Sequence, residues 1–516
     1  MSWNRLIWVL ICLVGWSSVG EQAAYAQRQK RNAGPEKVPS NSKLKPEADP
    51  GPNAEPEVLD PLFPRPANPA SPLENIVRQA QSAYQQQQYA QAIDLTTQVL
   101  NSNPRHAVAR YYRASALIDL GRLEGSGQKV RGGIADAREA LGIAGKQFLI
   151  FHIPYFYGLT SLSELENKPA HAQLAVSIAT PLATKEDLPP NVRPLVYYQR
   201  ALAKMYLKDY LGAAADYGEA VKLDPEFQTA HFGRADAFLK AGDPGKARAS
   251  FDQAVAELPD DPLVFNNRGT FNIQQGRIDP AIADFTQALE LNPNFYMAAL
   301  NRGFARTQKL EWFEAENDYV LSLESYPKNA LAQRLLGTAR VAQGKLAPAN
   351  EAFTAAITLA PNDPDNYAGR GFARYFAKDY AGATADFTKA RQLQPTAALY
   401  ALWKFTAQSK TNQPAAAKTE LETFLQSLPA TPNWHVTLSQ YMLGKIDDAG
   451  LIKAANASAD PMAKAQWLCE AYYFQGVKSD AAQQSEEARK YFEECVKTNQ
   501  AQLTAFVGAK LALAAK

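Results

Sequence analysis

Ala281-Ile282-Ala283-Asp284-Phe285-Thr286-Gln287-Ala288-Leu289-Glu290-Leu291-Asn292-Pro293 carries both a helix and the signal that stops it. Alanine, an aromatic four residues on and a second alanine three further share one helix face. The proline lacks an N–H and pushes the residue before it out of the α region. The same stretch returns upstream as Ala247, Phe251, Ala254 and Pro259, and downstream as Ala315, Tyr319 and Pro327. Working outward, Pro225, Pro259, Pro293, Pro327, Pro361, Pro395 and Pro429 follow one another at intervals of 34 residues. Twelve residues before each first alanine sits a small residue, at Ala201, Ala235, Gly269, Gly303, Gly337 and Gly371, where a preceding helix can approach closely. A unit of this length is two antiparallel helices and two turns, and such a hairpin buries its apolar face only by stacking on its neighbours. The sequence predicts an all-α protein built as an α-solenoid.

Residue type and spacing agree through six consecutive units, and the pattern resembles the tetratricopeptide repeat. Weaker copies flank them: Ala80, Ala92 and Pro104; a unit with Ala114, Ala140 and Leu141; one with Gly158 and Ala170; one with Phe405 and Ala417; and a last one with Gly476, Ala488, Phe492 and Cys495. The expected total is about eleven helix-turn-helix hairpins. The glycine-rich, basic stretch from Gly121 to Gly133 reads as an enlarged surface turn. Arg200, Arg234, Arg268, Arg302 and Arg370 precede the packing sites, and Asp216, Asp284, Asp318 and Asp386 lie on the second helices, a register that implies ion pairs within each hairpin.

The front of the chain reads differently. One cation, Arg5, precedes an apolar run from Leu6 to Val19 and then Ala24-Tyr25-Ala26, the layout of a secretory signal peptide cleaved after Ala26. The run is short for a membrane span. From Gln27 to Pro72 eleven prolines and little apolar content describe an extended, disordered linker. The expected division is a signal peptide at 1–26, the linker at 27–72, degenerate repeats at 73–190, a regular array at 191–429 and a distinct helical region at 430–516. These readings place the protein in the periplasm or outside the cell, without stable membrane insertion after cleavage.

A formal charge of +2 and the lack of a basic stripe argue against a nucleic-acid partner. The five histidines are scattered, so no metal site is expected, and nothing calls for a cofactor. Removal of Cys12 with the signal peptide would leave Cys469 and Cys495, a candidate disulfide if they face each other across the last hairpin. The competing reading makes both small core residues, since Cys495 stands where most repeats have alanine.

After Pro429 the proline punctuation stops. Leu399-Tyr400-Ala401-Leu402-Trp403, Trp434, Asp460-Pro461 and Leu468-Cys469-Glu470-Ala471 followed by Tyr472-Tyr473-Phe474 and Gly476 resemble the C-terminal half of NlpI-type repeat proteins of the bacterial envelope. That resemblance implies an adaptor for other proteins or peptides, among them envelope enzymes or proteases. The lipobox of that family is absent here, because Cys12 lies inside the apolar run.

In tetratricopeptide repeats, partners lie against the first helices, at the second, fifth, ninth and twelfth positions of each unit. Those positions here include Tyr198, Leu202 and Met205; Phe232 and Asp236; Asn266 and Thr270; Leu300 and Phe304; Arg334 and Thr338; Phe372 and Tyr375. A clamp for acidic tails would need lysines beside the asparagines, and none stands there. No Ser/His/Asp set, phosphate loop or zinc motif supports an enzyme. An alternative is a peptidoglycan- or carbohydrate-binding protein using Trp403, Trp434 and Trp467, although helical spacing favours a core role for these rings.

Overall fold

The computed structural model describes Phe63 and residues 71–145, 148–186, 188–411, 414–429 and 433–515. The expected signal peptide, its cleavage site and all of the linker except Phe63 and its last residues lie outside them. The described residues hold twenty-five α-helices, one short 3-10 turn and no strand. They run as hairpins: α1 (Pro72–Gln85) with α2 (Tyr89–Ser102), α3 (Ala107–Leu123) with α4 (Gly127–Ala144), α5 (His152–Glu166) with α6 (Pro169–Ala183), α7 (Arg193–Tyr206) with α8 (Tyr210–Leu223), and α9 (Gln228–Lys240) with α10 (Pro244–Glu257). Next come α11 (Pro262–Gln274) with α12 (Ile278–Leu291), α13 (Tyr296–Gln308) with α14 (Trp312–Ser325), α15 (Ala330–Ala342) with α16 (Leu346–Leu359), and α17 (Pro364–Phe376) with α18 (Tyr380–Leu393). The last are α19 (Ala398–Gln408) with α20 (Pro414–Ser427), α21 (Trp434–Met442) with α22 (Asp448–Asn456), α23 (Pro461–Ala481) with α24 (Ser485–Lys497), and a single α25 (Thr504–Ala514). The fold is the expected all-α solenoid. The hairpin beyond the expected eleven is the short α21–α22 pair, which has none of the proline punctuation.

Local chemistry sets the periods. Each of the seven prolines stands two residues beyond the end of a second helix, as Pro293 does after Leu291 and Pro361 after Leu359. The turn inside each regular hairpin needs one left-handed residue, and this position also recurs every 34 residues, at Lys208, Gly242, Gly276, Leu310, Gly344 and Lys378. Glycine takes that conformation without a Cβ penalty, and Lys208, Leu310 and Lys378 adopt it at the same place in their hairpins. Asp209, Asp243 and Asp379 cap the second helices that follow, each accepting from a backbone N–H three residues on.

Packing rests on one contact, between the small residue of a first helix and the aromatic of its own second helix, sixteen residues later. A Cβ added at Gly269 would stand 2.7 Å from the Phe285 ring, at Gly303 2.8 Å from Tyr319, at Gly337 2.8 Å from Phe353 and at Gly371 2.9 Å from Phe387. Gly369 meets the opposite edge of the Phe353 ring from the next hairpin, so that ring is gripped on two sides. The expected ion pairs are present at three repeats, and each aspartate holds two cations four residues apart. Arg200 and Lys204 meet Asp216 at 2.6 and 2.8 Å, Arg302 and Arg306 meet Asp318 at 2.7 and 2.9 Å, and Arg370 and Arg374 meet Asp386 at 2.7 and 2.8 Å. In the Arg234 repeat Ser250 stands in the acid's place and accepts from Arg234 at 3.0 Å.

The chain divides into two compact units, 1–268 and 269–516. In the first, the α3–α4 segment corrects the expectation of an enlarged turn. Helix runs through Gly121 and resumes at Gly127, and the glycines serve close approach: a Cβ at Gly121 would come within 2.8 Å of Val130, and one at Gly133 within 2.6 Å of Ile118. The linker expectation also needs amending at its end. Phe63 is buried against Tyr111 and Phe151, with ring centroids 5.0 and 5.7 Å away, and Pro72 already opens α1 behind the Ser71 cap. In the second unit the largest core gathers Phe387, Trp403, Tyr473, Phe474 and Phe492.

Replacing Gly369 by leucine installs a better helix former but overpacks the Phe353 ring, and denaturant unfolding is expected to show a loss of about 1–3 kcal/mol. Phe353→Ala, which empties the same socket, is expected to cost about 3–5 kcal/mol. Gly369→Leu combined with Phe353→Leu should recover part of the first loss, since the two side chains share one space.

Candidate functional site

The first helices present a face that successive hairpins build together. In the first unit its best-defined part is a polar cluster absent from the expected set. Tyr84 on α1 and Tyr157 on α5 donate their phenolic protons to the two carboxylate oxygens of Asp119 on α3, at 2.8 and 3.0 Å. Arg122, one turn further along α3, lies over the Tyr157 ring, donates to its hydroxyl and reaches Glu164 at 3.3 Å. Its positive charge acts on Tyr198 of α7, whose phenol is nonetheless raised by burial. Burial pushes the Asp119 carboxyl above its ordinary range, while the two phenols and Arg122 pull it back. The Arg122 and Glu164 side chains remain 40% and 46% exposed, so the cluster ends in an ion pair open to a partner. Tyr84 is the twelfth residue of its unit counted from the Ala80 spacing, and that position was the available signal. Asp119 follows the twelfth position of the next unit by one.

The expected groove residues fall into two groups. In the first unit Tyr198 and Leu202 are half-buried, with Tyr198 against Phe227 and Tyr217 at 5.0 and 5.5 Å. Asp236 pairs with Lys240 at 3.1 Å on the same helix. Met205 and Thr338 are half-buried as well, and the other positions are buried with little surface of their own. Phe232 packs on Phe251, and Asn266 and Thr270 are 2% and 5% exposed. In the second unit Leu300 joins Tyr319 and Leu335, and Phe304 is 6% exposed. Arg334 is 4% exposed, with Asp363 and Asp365 at 3.8 and 3.9 Å. Phe372 packs between Phe387 and Trp403, and Tyr375 against Trp403 and Tyr380. The side chains of Phe232, Leu300, Phe304, Phe372 and Tyr375 reach down into the stack rather than out of it.

The tryptophans considered for sugar binding are engaged elsewhere. Trp403 is buried at the centre of the second unit's core, and Trp434 and Trp467 stack on each other at 5.0 Å, with the Trp434 indole donating to Glu470 at 2.7 Å. Cys469 and Cys495 face each other from α23 and α24 as buried thiols, their sulfurs 3.4 Å apart, in contact but beyond the bonded distance of about 2.05 Å. Among the described residues no group of three or more His, Cys, Asp or Glu could hold a metal ion, and no helix is long and apolar enough to cross a membrane.

The tetratricopeptide-repeat family profiles match residues 77–140, 198–262, 262–295 and 308–367. These hairpins are tetratricopeptide repeats. The matched segments include the weak first copy and its neighbour as well as most of the regular array. Similar solved structures include pilF of Pseudomonas aeruginosa, 18% identical over 43% of this chain and 99% of its own, with a TM-score of 0.36. PilW, described as a type IV pilus biogenesis factor, is 25% identical over 45% of this chain and 98% of its own, with a TM-score of 0.32. Yeast Tom70 is 14% identical over 76% of this chain and 91% of its own, with a TM-score of 0.33. No curated protein matches the sequence.

Changing Tyr84 and Tyr157 together to phenylalanine removes both donors to Asp119 and is expected to destabilise the first unit by about 1–3 kcal/mol at pH 7. The sign of its pH dependence follows from the carboxyl. The folded-state pKa of Asp119 already lies above its unfolded value near 4, and loss of the phenols raises it further. The penalty therefore falls on the charged form. Denaturant unfolding at a series of pH values should show it in full at neutral pH and shrinking as pH drops through the folded pKa toward 4.

Proposed function

We propose that this chain is an exported scaffold of the bacterial cell envelope that holds other proteins or peptides against the first helices of its repeats. The observation that carries the binding role is the Tyr84–Asp119–Tyr157–Arg122 cluster. It joins three successive first helices through hydrogen bonds and ends in a solvent-facing ion pair. A surface assembled from several hairpins is preformed, so a partner docking there spends little on ordering it. Export rests on Leu6–Val19 and Ala24-Tyr25-Ala26, and the envelope assignment rests on the NlpI-type resemblance of the last 120 or so residues. In an oxidising compartment the two thiols at Cys469 and Cys495 would be joined, because no other cysteine would remain to compete for either.

Intact mass of the protein purified from its native cells is expected to correspond to a chain starting at Gln27, and thiol titration of that denatured, unreduced material to find no free thiol. A mass that includes Met1 with two free thiols would contradict export. For binding, Arg122→Gln with Lys240→Glu should lower capture of the native partner at least tenfold while helicity is retained, since both charges are exposed on first helices. Deletion of residues 28–62 should leave capture intact, and the opposite pair of results would move the site to the linker.

A further inference from the structure

The chain's last helix does not simply cap the final hairpin. α25 packs on α23 and α24, and it also lies against α15 and α17, first helices of repeats more than a hundred residues earlier. Val507 joins a buried cluster with Val341, Phe353 and Ala373, and Leu511, one turn on, packs there beside Phe376. Val341 is the twelfth residue of its repeat, a position where a partner would sit, and Phe376 is the thirteenth of the next, so α25 lies over the ends of two first helices. Gly508 marks the closest approach: a Cβ there would stand 2.7 Å from both the Phe376 and the Tyr473 ring. Glycine inside a helix costs about 1 kcal/mol relative to alanine, and here it permits a crossing that no larger residue allows. Leu511 comes to rest over Gly344, the left-handed turn residue of the α15–α16 hairpin, where an added Cβ would be 3.2 Å from its methyl.

We infer that α25 is a built-in occupant of the first-helix face of the α15 and α17 repeats, and that this face takes a partner helix of the same chemistry in its place. The partner helix is short and apolar, with aliphatic residues at i and i+4, as at Val507 and Leu511, and a small residue between them at the crossing. The inference rests on the proposed first-helix binding role and says which stretch of it is closed in the resting chain and to what kind of ligand it opens. A tethered helix acts as a competitor at an effective concentration of the order of millimolar, so a free ligand binds the intact chain more weakly than it binds the same face uncovered.

The test uses a fluorescein-labelled synthetic peptide of residues 500–516 and the full-length protein. Gly508→Leu collides with Phe376 and Tyr473 and should expel the internal helix. Fluorescence anisotropy is expected to show the peptide binding this variant at least tenfold more tightly than the unaltered chain, and Val341→Asp added to it should abolish the gain. Equal binding by the variant and the unaltered chain overturns the inference. A second arm avoids any core substitution: a protease site placed at Gln502 is cut in the folded protein, and labelled peptide should then exchange into the body. A cut body that keeps its helicity and takes up no peptide also overturns it. If the peptide fails while Arg122 and Lys240 still govern capture of the native partner, only this inference falls. If those charges also prove irrelevant, the binding role beneath it falls as well.

Discussion

An aromatic ring pressed against a residue with almost no side chain is the contact on which everything else depends. In four of the regular hairpins Gly269, Gly303, Gly337 and Gly371 leave room for the ring sixteen residues later, and in two others Ala201 and Ala235 hold the same place. The ring in turn fills the space that the missing side chain leaves, with an added Cβ 2.7–2.9 Å from it in each of the four hairpins. The Phe353 ring, gripped by Gly337 from its own hairpin and Gly369 from the next, shows how the same contact passes stacking order along the chain. The paired cations on Asp216, Asp318 and Asp386 sit beside this contact and fix the rotation of the hairpin about it. The three carboxylates are buried, so loss of their cations would leave a buried charge uncompensated.

Within each unit stacking brings successive first helices to one face, and this is the step from packing to function. No single hairpin could hold the Asp119 carboxylate between Tyr84 and Tyr157; three must stand in register for the two hydrogen bonds to form. The same register lets α25 lie across two repeats in the second unit. A face made in this way is assembled from several helices. What it offers is area, aromatic edges and a few placed charges, the means by which a rigid surface selects an extended or helical ligand.

Much of this was legible because a repeat writes its contacts at fixed, short separations. Pro225 to Pro429, the glycine-to-aromatic spacing and the Arg302–Asp318 type of pair could each be read from the chain. The misreadings share a cause. Gly121 to Gly133 looked like a turn because glycine marks both loops and close helix crossings, and local sequence does not say which. Phe232, Phe372 and Tyr375 were placed on the right helix face, but position on a face does not give depth, and large rings at those places point inward. The docking of Val507 on Val341 had no signature, since nothing near either residue records a partner more than 160 positions away. Asp119 and its tyrosines were missed for a similar reason: Tyr84 and Tyr157 lie 35 and 38 residues from it, and their irregular offset hides them from a search at the repeat period.

The central claim, that partners are held by the first helices, is tested most directly by photo-crosslinking in intact native cells. Benzoylphenylalanine would be placed singly at Arg122 and Lys240 on first helices and at Leu211 and Lys222 on a second helix, all exposed and all in the same unit. Discrete adducts at Arg122 and Lys240, with none at Leu211 or Lys222, are the predicted result. Adducts confined to Leu211 and Lys222 would contradict the account.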